Sequence, residues 1–109
     1  MSAVWRVRET VSARADRVRI IRWTATRFGT YQATIYAETI ALALAALEAG
    51  PDTPGARPRD DLPGNVRMLH VARQGRKGRH FIIFRIGGEQ VLDVLRILYD
   101  GMDLARHVE

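Results

Sequence analysis

The sequence has 109 residues, of which 47% are hydrophobic and 27% charged, a composition typical of a folded globular protein with one core. It contains no cysteine, which excludes disulfide bonds and thiolate metal sites. No apolar run approaches the roughly 20 residues of a membrane span, and the N-terminus lacks the apolar segment of a signal peptide. We therefore expect a single domain over residues 1–109, located in the cytoplasm and not in a membrane.

The net charge of +5 predicts an anionic partner. Sixteen of the seventeen basic residues are arginine, whose guanidinium group forms bidentate contacts with phosphate and carboxylate groups. Codon bias in a GC-rich genome would give the same excess of arginine. The charge therefore indicates a nucleic acid or an acidic protein segment as partner, without deciding between them.

The N-terminal part predicts a strand and a helix. Residues 4–8 alternate apolar and basic side chains, which is typical of a strand with one face in water. A first helix, capped by Ser12 or Thr10, is expected to run to about Arg27. Its predicted inward face consists of Ala13, Ile20, Trp23 or Thr24, and Phe28, with Arg17 on the same stripe.

A second helix is predicted over residues 31–49, between a break at Gly29 with Thr30 as cap and a stop at Gly50. Its apolar residues recur at helical spacing: Ala33, Tyr36, Ile40, Leu44 and Leu47. A second apolar arc consists of Ile35, Leu42 and Ala46. The helix is therefore expected to be covered on two sides, and this arc could meet a partner protein or a second copy of the chain.

The C-terminal half predicts a small sheet. Residues 50–65 contain all four prolines and form a connecting loop. Three strand-like runs follow, at residues 66–73, 80–86 and 90–99, and the glycines between them favour an antiparallel meander. The predicted order is β-α-α-β-β-β, an α+β fold in which a helical hairpin packs on one face of an antiparallel sheet.

Three segments resemble, in order and spacing, the RelE/ParE superfamily of toxins from bacterial type II toxin–antitoxin systems, and the ParE branch in particular. They are RWTATRFGTYQATIYAETI in the helical hairpin, LHVARQGRKGRHFIIFRI in the next two strands, and VLRILYDGMDLARHV at the C-terminal end. Two positions depart from the pattern. Arg17 stands where ParE-like sequences usually carry leucine, and Tyr99 stands where they commonly carry histidine.

The resemblance implies a growth-inhibiting toxin that a cognate antitoxin binds and neutralises, in a toxin–antitoxin hetero-oligomer. ParE-type members poison DNA gyrase, and their C-terminal segment is implicated in contact with gyrase. RelE-type members instead cleave mRNA in the ribosomal A site. A degenerate, non-toxic member that only binds its partner is a third hypothesis, because of the departures at Arg17 and Tyr99. Fold alone does not separate these activities.

A basic patch lies between Asp61 and Glu89, where the sequence has no acidic residue. One reading is a solvated outer face of the strands. However, a turn that brings several cations together predicts an anionic partner, because the partner would relieve their mutual repulsion. The predicted partner-binding residues are Arg73, Arg76, Lys77, Arg79 and Arg106.

Ribonuclease chemistry would require groups that accept a proton from a 2′-hydroxyl, neutralise the phosphorane and protonate the leaving oxygen. The candidate catalytic residues are Arg79, His80, Arg96 and Tyr99. Each also has a structural interpretation. His80 abuts an apolar run, Arg96 could pair with Asp93 or Asp100, and Tyr99 could be a core aromatic.

Other enzyme classes find no support, because the sequence lacks dinucleotide-binding, Walker, zinc-protease and serine-hydrolase motifs. Three histidines at uninformative spacing predict no metal site, and we expect no cofactor. The favoured hypothesis is a ParE-like toxin that inhibits DNA gyrase by protein binding, not as an enzyme. The alternative is a RelE-like endoribonuclease that acts on mRNA at the ribosome.

Overall fold

The computed structural model describes residues 4–102. Its strands are β1 (Arg6–Glu9), β2 (Arg57–Pro58), β3 (Arg67–His70), β4 (His80–Gly88) and β5 (Val91–Tyr99). The helices are α1 (Val11–Phe28) and α2 (Thr30–Ala46), and a short 3-10 turn, Leu47–Ala49, follows α2. The predicted α+β fold and its element order are confirmed. The structure also contains one strand that the sequence did not predict: β2, a two-residue strand inside the proline-rich loop.

Within the described residues the strands form one sheet in the order β1-β5-β4-β3-β2. The pairs β3–β4 and β4–β5 are antiparallel, which confirms the meander. The expectation of a wholly antiparallel sheet is wrong for β1, which pairs in parallel with β5 from Arg6 opposite Val91 to Glu9 opposite Val94. Parallel neighbours need a long crossover connection, and the helical hairpin begins that connection.

The helix α1 begins where the sequence predicts, with Thr10 as the cap. The Thr10 hydroxyl oxygen accepts a hydrogen bond of 3.1 Å from the N–H of Ala13, a contact that contributes about 1 kcal/mol to helix stability. At the other end, Gly29 adopts a φ of 94° and its N–H donates to the carbonyl of Ala25. Thr30 is then the first residue of α2, so the prediction of Thr30 as its cap is wrong by one position.

The predicted inward face of α1 is correct at Ala13 and, of the alternatives Trp23 and Thr24, at Thr24; it is wrong at Phe28. Ala13 and Thr24 are buried, but Trp23 is 58% exposed and Phe28 is 60% exposed. The two rings contact each other edge to face, with centroids 5.8 Å apart. Thr24 continues the stripe that begins at Ala13, whereas Trp23 is rotated by about 100° from Thr24 and points away from the core. Phe28, on the last turn of α1, lies beyond the core, and periodicity does not show where a helix leaves the core.

The helix α2 packs one arc on the sheet and leaves the other open. Ala33, Ile40, Ala43 and Leu47 are buried. Leu42 of the second arc is 49% exposed, so within residues 4–102 nothing provides the expected second cover. Neither described helix is long and apolar enough to cross a membrane.

Hydrophobic clusters lie on both faces of the sheet. The larger one, between sheet and helices, is built on fully buried side chains that include Ile40, Leu47, Ile82, Phe84 and Leu92. On the opposite face Leu62 of the proline-rich loop packs with Val66, Ile83 and Leu98. The loop therefore covers that face and holds the sheet whose β4 and β5 carry the candidate site.

Candidate functional site

The predicted nuclease residues separate into two places. His80 begins β4 and Tyr99 ends β5, and these two residues are register partners in the sheet. Arg79 precedes His80, and its guanidinium carbon lies 5.1 Å from the centroid of the Tyr99 ring. The rings of His80 and Tyr99 are 6.0 Å apart. Arg96, by contrast, directs its guanidinium group to α1. Three of the four candidates therefore form one cluster, which we call the β4–β5 cluster.

His80 is held by Tyr36 of α2. The Tyr36 hydroxyl oxygen lies 2.6 Å from Nδ1 of His80, and the N–H of Arg79 donates to the same oxygen at 3.0 Å. Burial lowers the pKa of His80 from its ordinary value of 6.5 and raises the pKa of Tyr36. At neutral pH the imidazole is therefore uncharged. Because the Tyr36 oxygen already accepts from Arg79, we assign the tautomer in which the Tyr36 hydroxyl donates to Nδ1 of His80. The other ring nitrogen, Nε2, then carries the hydrogen.

This tautomer restricts what His80 can do. A general base needs an accessible lone pair on nitrogen, and the lone pair of Nδ1 is occupied by Tyr36. The protonated Nε2 can donate a hydrogen bond but cannot accept a proton. For as long as the contact with Tyr36 persists, His80 is equipped as a hydrogen-bond donor and not as a base.

Asp100 anchors the cluster from the end of β5. It accepts hydrogen bonds from Nε of Arg79 at 3.0 Å and from Nε2 of His70 at 2.9 Å. His70 can donate through Nε2 because its Nδ1 accepts from the N–H of Ala72 at 3.0 Å. The Arg79 guanidinium, followed by His70, lowers the pKa of the Asp100 carboxyl. His70 is thus engaged in structural contacts, including an edge-to-face contact with Phe81.

Arg96 belongs to an ion pair that joins α1 to β5. Asp16 is only 3% exposed, and it accepts from Arg96 at 2.7 and 2.9 Å and from the backbone N–H of Ile97 at 3.0 Å. Hydrogen bonding to Asp16 raises the pKa of Arg96. The prediction that Arg96 pairs with Asp93 or Asp100 is therefore wrong. Asp93 instead binds Arg8, at 2.8 Å. The partner from α1 is 80 positions away in sequence and could not be read from spacing.

The basic turn, residues 73–79 between β3 and β4, is less free than its sequence suggests. Arg76 is fastened to α2, because it donates to the Thr39 hydroxyl at 2.9 Å, to Glu38 at 3.0 Å and to the carbonyl of Ile35 at 3.2 Å. Arg73 donates to the carbonyl of Pro54 at 3.1 Å. The remaining predicted partner-binding residues are Arg79, bound to Asp100 as described above, Lys77, which is exposed, and Arg106, which lies outside the described residues.

A groove of about 630 Å³ runs between this turn and α2. Its α2 side consists of Leu42 and small residues, mainly alanine. Its other wall includes Arg73, Gln74 and Arg76. The groove therefore combines an apolar floor with a basic rim, next to the open arc of α2. In the part of the chain that the structure describes, no three metal-binding side chains come together.

Comparison with known families identifies the chain. Residues 7–104 match the family model of the ParE toxin of the type II toxin–antitoxin system parDE. The chain belongs to the ParE toxin family. Comparison with curated protein sequences finds no significant match.

Solved structures support the fold. One similar structure, described as the chromosomal ParDE toxin–antitoxin system from P. aeruginosa, has a TM-score of 0.73 and 24% identity over 90% of this chain and 98% of that chain. Another, a YoeB/ParE toxin from Agrobacterium tumefaciens, has a TM-score of 0.57 and 14% identity over 86% and 96% of the two chains. At these identities the likeness establishes the fold alone.

The sequence does not indicate the roles of two residues in these sites, Tyr36 and Asp16. It places Tyr36 in the apolar stripe of α2 and in a segment that resembles the toxin family, but not in a site, and it does not single out Asp16. A single acid in an arginine-rich helix is a weak signal of a buried ion pair. The tyrosine has no sequence signal beyond its position, because its contact with His80 spans 44 residues.

Proposed function

We propose that this ParE-family chain inhibits DNA gyrase by protein binding and that a cognate antitoxin neutralises it. Family membership supports a toxin in a toxin–antitoxin pair. The choice of gyrase over mRNA cleavage rests on the state of His80, the strongest proton-transfer candidate in the β4–β5 cluster. In the assigned tautomer its Nδ1 accepts from Tyr36 at 2.6 Å, and the cluster then offers no unoccupied basic nitrogen.

The two candidate arginines, Arg79 in the cluster and Arg96 outside it, support the same choice. A ribonuclease needs a cation that can approach the phosphorane. Arg96 is engaged by Asp16, and Arg79 is engaged by Asp100. Both guanidinium groups are therefore already neutralised by carboxylates, which fits a structural role better than a catalytic one.

The second candidate, an mRNA endoribonuclease, keeps one observation in its favour. Arg79, His80 and Tyr99 are neighbours, and Tyr99 is 42% exposed at the edge of the cluster. A substrate phosphate that displaced Asp100 from Arg79 would find a tyrosine hydroxyl and an imidazole N–H close by. This candidate requires that substrate binding also releases Nδ1 of His80 from Tyr36.

One experiment separates the two. The purified chain is added to a gyrase supercoiling assay and, separately, to translating ribosomes with a defined mRNA. We expect loss of supercoiling, with cleaved plasmid DNA trapped on gyrase, and intact mRNA. The double variant His80→Ala/Tyr99→Phe should keep the gyrase effect. Cleavage of mRNA that this variant abolishes would overturn the proposal in favour of the nuclease.

A truncation that ends at residue 102 tests the C-terminal segment without removing Asp100, which holds Arg79 and His70. If the segment contacts gyrase, the truncated chain should lose inhibition while its unfolding temperature stays close to that of the full chain. Retained inhibition by the folded truncation would assign gyrase contact to the described residues instead.

For the antitoxin, we propose docking in the groove beside α2. An apolar floor with arginines on the rim is complementary to an antitoxin segment that carries both apolar and acidic side chains. Leu42→Glu would place a like charge against an acidic antitoxin and should weaken the complex at least 10-fold. Ile86→Glu, an equally exposed apolar position on β4, is the matched control and should leave binding unchanged. Equal weakening by both variants would exclude the groove.

A further inference from the structure

The helix α1 is rich in arginine, and several of these arginines have no role in the fold or in the proposed function. It contains five arginines and a single acid, Asp16, which is buried against Arg96. Arg17 is also engaged, in a pair with Glu9 at 2.8 Å. Arg14, Arg19 and Arg22 lie on the outer side of the helix, and all three are exposed. We call these three residues the α1 arginine face.

Two members of this face are uncommitted. No other side chain within residues 4–102 makes a hydrogen bond or an ion pair with the guanidinium groups of Arg14 and Arg22. Arg19 contacts Asp16 at 3.1 Å but keeps 63% of its side chain exposed. The basic turn differs, because three of its arginines are fastened to α2, to the proline-rich loop and to Asp100. Other exposed cations without a partner among residues 4–102 lie singly on their elements, at Arg6, Arg57, Lys77 and Arg85, whereas α1 carries several.

The spacing of the face suits a double-stranded nucleic acid. Arg14 and Arg22 are two turns apart, about 12 Å along the helix axis, which is close to the width of the major groove of B-DNA. Guanidinium groups bind phosphate oxygens in bidentate geometry, so arginine is the residue expected at such contacts. The exposed apolar side chains on this side of α1 are Val11 and Val18, a residue type that is under-represented among protein-binding hot spots. The apolar groove lies elsewhere, beside α2.

We propose that the α1 arginine face binds the phosphate backbone of double-stranded DNA, without reading its sequence. The face offers cations on a rigid helix, which suits contact with phosphates and not with base edges. Trp23 at its border is 58% exposed and packs edge to face against Phe28, so stacking of single-stranded bases on this ring is the alternative that the single-stranded RNA tests. The inference does not depend on whether the toxin acts on gyrase or on the ribosome.

The test is the salt dependence of binding. Three phosphate contacts predict a slope of about −2.7 in a plot of log affinity against log salt concentration, or about 40-fold weaker binding between 50 and 200 mM NaCl. The full chain is titrated onto a fluorescein-labelled 20-bp duplex of arbitrary sequence, and fluorescence anisotropy is measured. Arg14→Gln/Arg22→Gln leaves one contact and should reduce the slope to about −0.9.

Two control variants keep the result interpretable. Arg57→Gln/Arg85→Gln removes the same charge from exposed positions on the sheet and should keep the steep slope. Arg14→Lys/Arg22→Lys keeps the charge and should keep most of the slope. Thermal unfolding checks that each variant folds, which we expect because the substituted side chains make no hydrogen bond or ion pair among the described residues.

Three outcomes would overturn the proposal. The first is an equal loss of slope in the α1 and the control double variants, which would mean that net charge alone matters. The second is tighter binding of a 20-nucleotide single-stranded RNA than of the duplex. The third is displacement of the duplex by polyglutamate at equal charge concentration, which would identify a surface for acidic protein.

Discussion

The ion pair between Asp16 and Arg96 gives the sharpest test of how this fold is held together. Asp16→Ala removes the acceptor of the buried Ile97 N–H, at a cost of about 1–3 kcal/mol, and leaves Arg96 without its carboxylate. Removing one partner of a buried pair costs about 3–5 kcal/mol. The Arg96 side chain is 28% exposed and partly reaches water, so the lower end applies. We expect a total loss of about 3–4 kcal/mol in the free energy of unfolding.

The assay is thermal and chemical unfolding of the purified variants. For a chain of this size, 1 kcal/mol corresponds to about 4 °C, so the unfolding temperature of Asp16→Ala should fall by about 12–16 °C. Arg19→Gln is the control, because Arg19 touches the same carboxylate with a side chain 63% exposed and should cost under about 1 kcal/mol. Asp16→Asn keeps an acceptor for Ile97 and should fall between the two.

Equal effects of Asp16→Ala and Arg19→Gln would refute this reasoning, since the buried contacts would then contribute nothing beyond the exposed one. The same series bears on function. If Arg96 is structural, Arg96→Gln should lower the unfolding temperature and leave the activity of the folded fraction unchanged. A stable Arg96→Gln variant without toxicity would instead make Arg96 a catalytic candidate.

Three further predictions follow from the packing and from the pKa of His80. Because burial lowers that pKa below 6.5, the unfolded chain binds a proton at His80 before the folded chain does as the pH falls. The contribution of neutral His80 to the free energy of unfolding is therefore complete above pH 6.5 and is lost as the pH falls through the pKa of the folded chain. The unfolding temperature should therefore drop more between pH 7 and pH 5 in the native chain than in His80→Gln, and equal drops would contradict this. Gly78→Ala would place a Cβ 2.5 Å from Cγ2 of Val71, and should cost about 1–3 kcal/mol in chemical denaturation. Leu47→Ala, at a fully buried position, should cost about 2–5 kcal/mol, whereas Leu42→Ala on the open arc should stay within about 0.5 kcal/mol.

Several features of the chain follow from local sequence alone. Thr10 caps α1 because its hydroxyl reaches an N–H only three residues away. Gly29 separates the two helices because it adopts a positive φ at low cost. The strands β3, β4 and β5 pair as a meander because glycine-containing turns join neighbours in sequence. These are short-range effects, and the ordered motifs built on them were sufficient to indicate the toxin family.

The state of the candidate site depended on contacts between distant segments. The sequence brought Arg79 and His80 together as neighbours in the chain, but it did not predict that Tyr36 occupies His80 or that Asp100 occupies Arg79. The basic turn likewise carries the densest cluster of basic residues in the sequence, which predicted a site for an anionic partner. Its arginines are nonetheless engaged by groups such as Glu38, which lies 38 positions before Arg76.

The sequence by itself determined the elements, their order and the family, because helix caps, turns and apolar periodicity act over a few residues. Only the tertiary structure decided which charges are neutralised and which remain available. A guanidinium group has the same charge wherever it stands, and its role depends on whether folding brings a carboxylate within about 3 Å. That pairing occupies Arg96 and Arg79 with carboxylates, and it leaves Arg14 and Arg22 without a partner among residues 4–102.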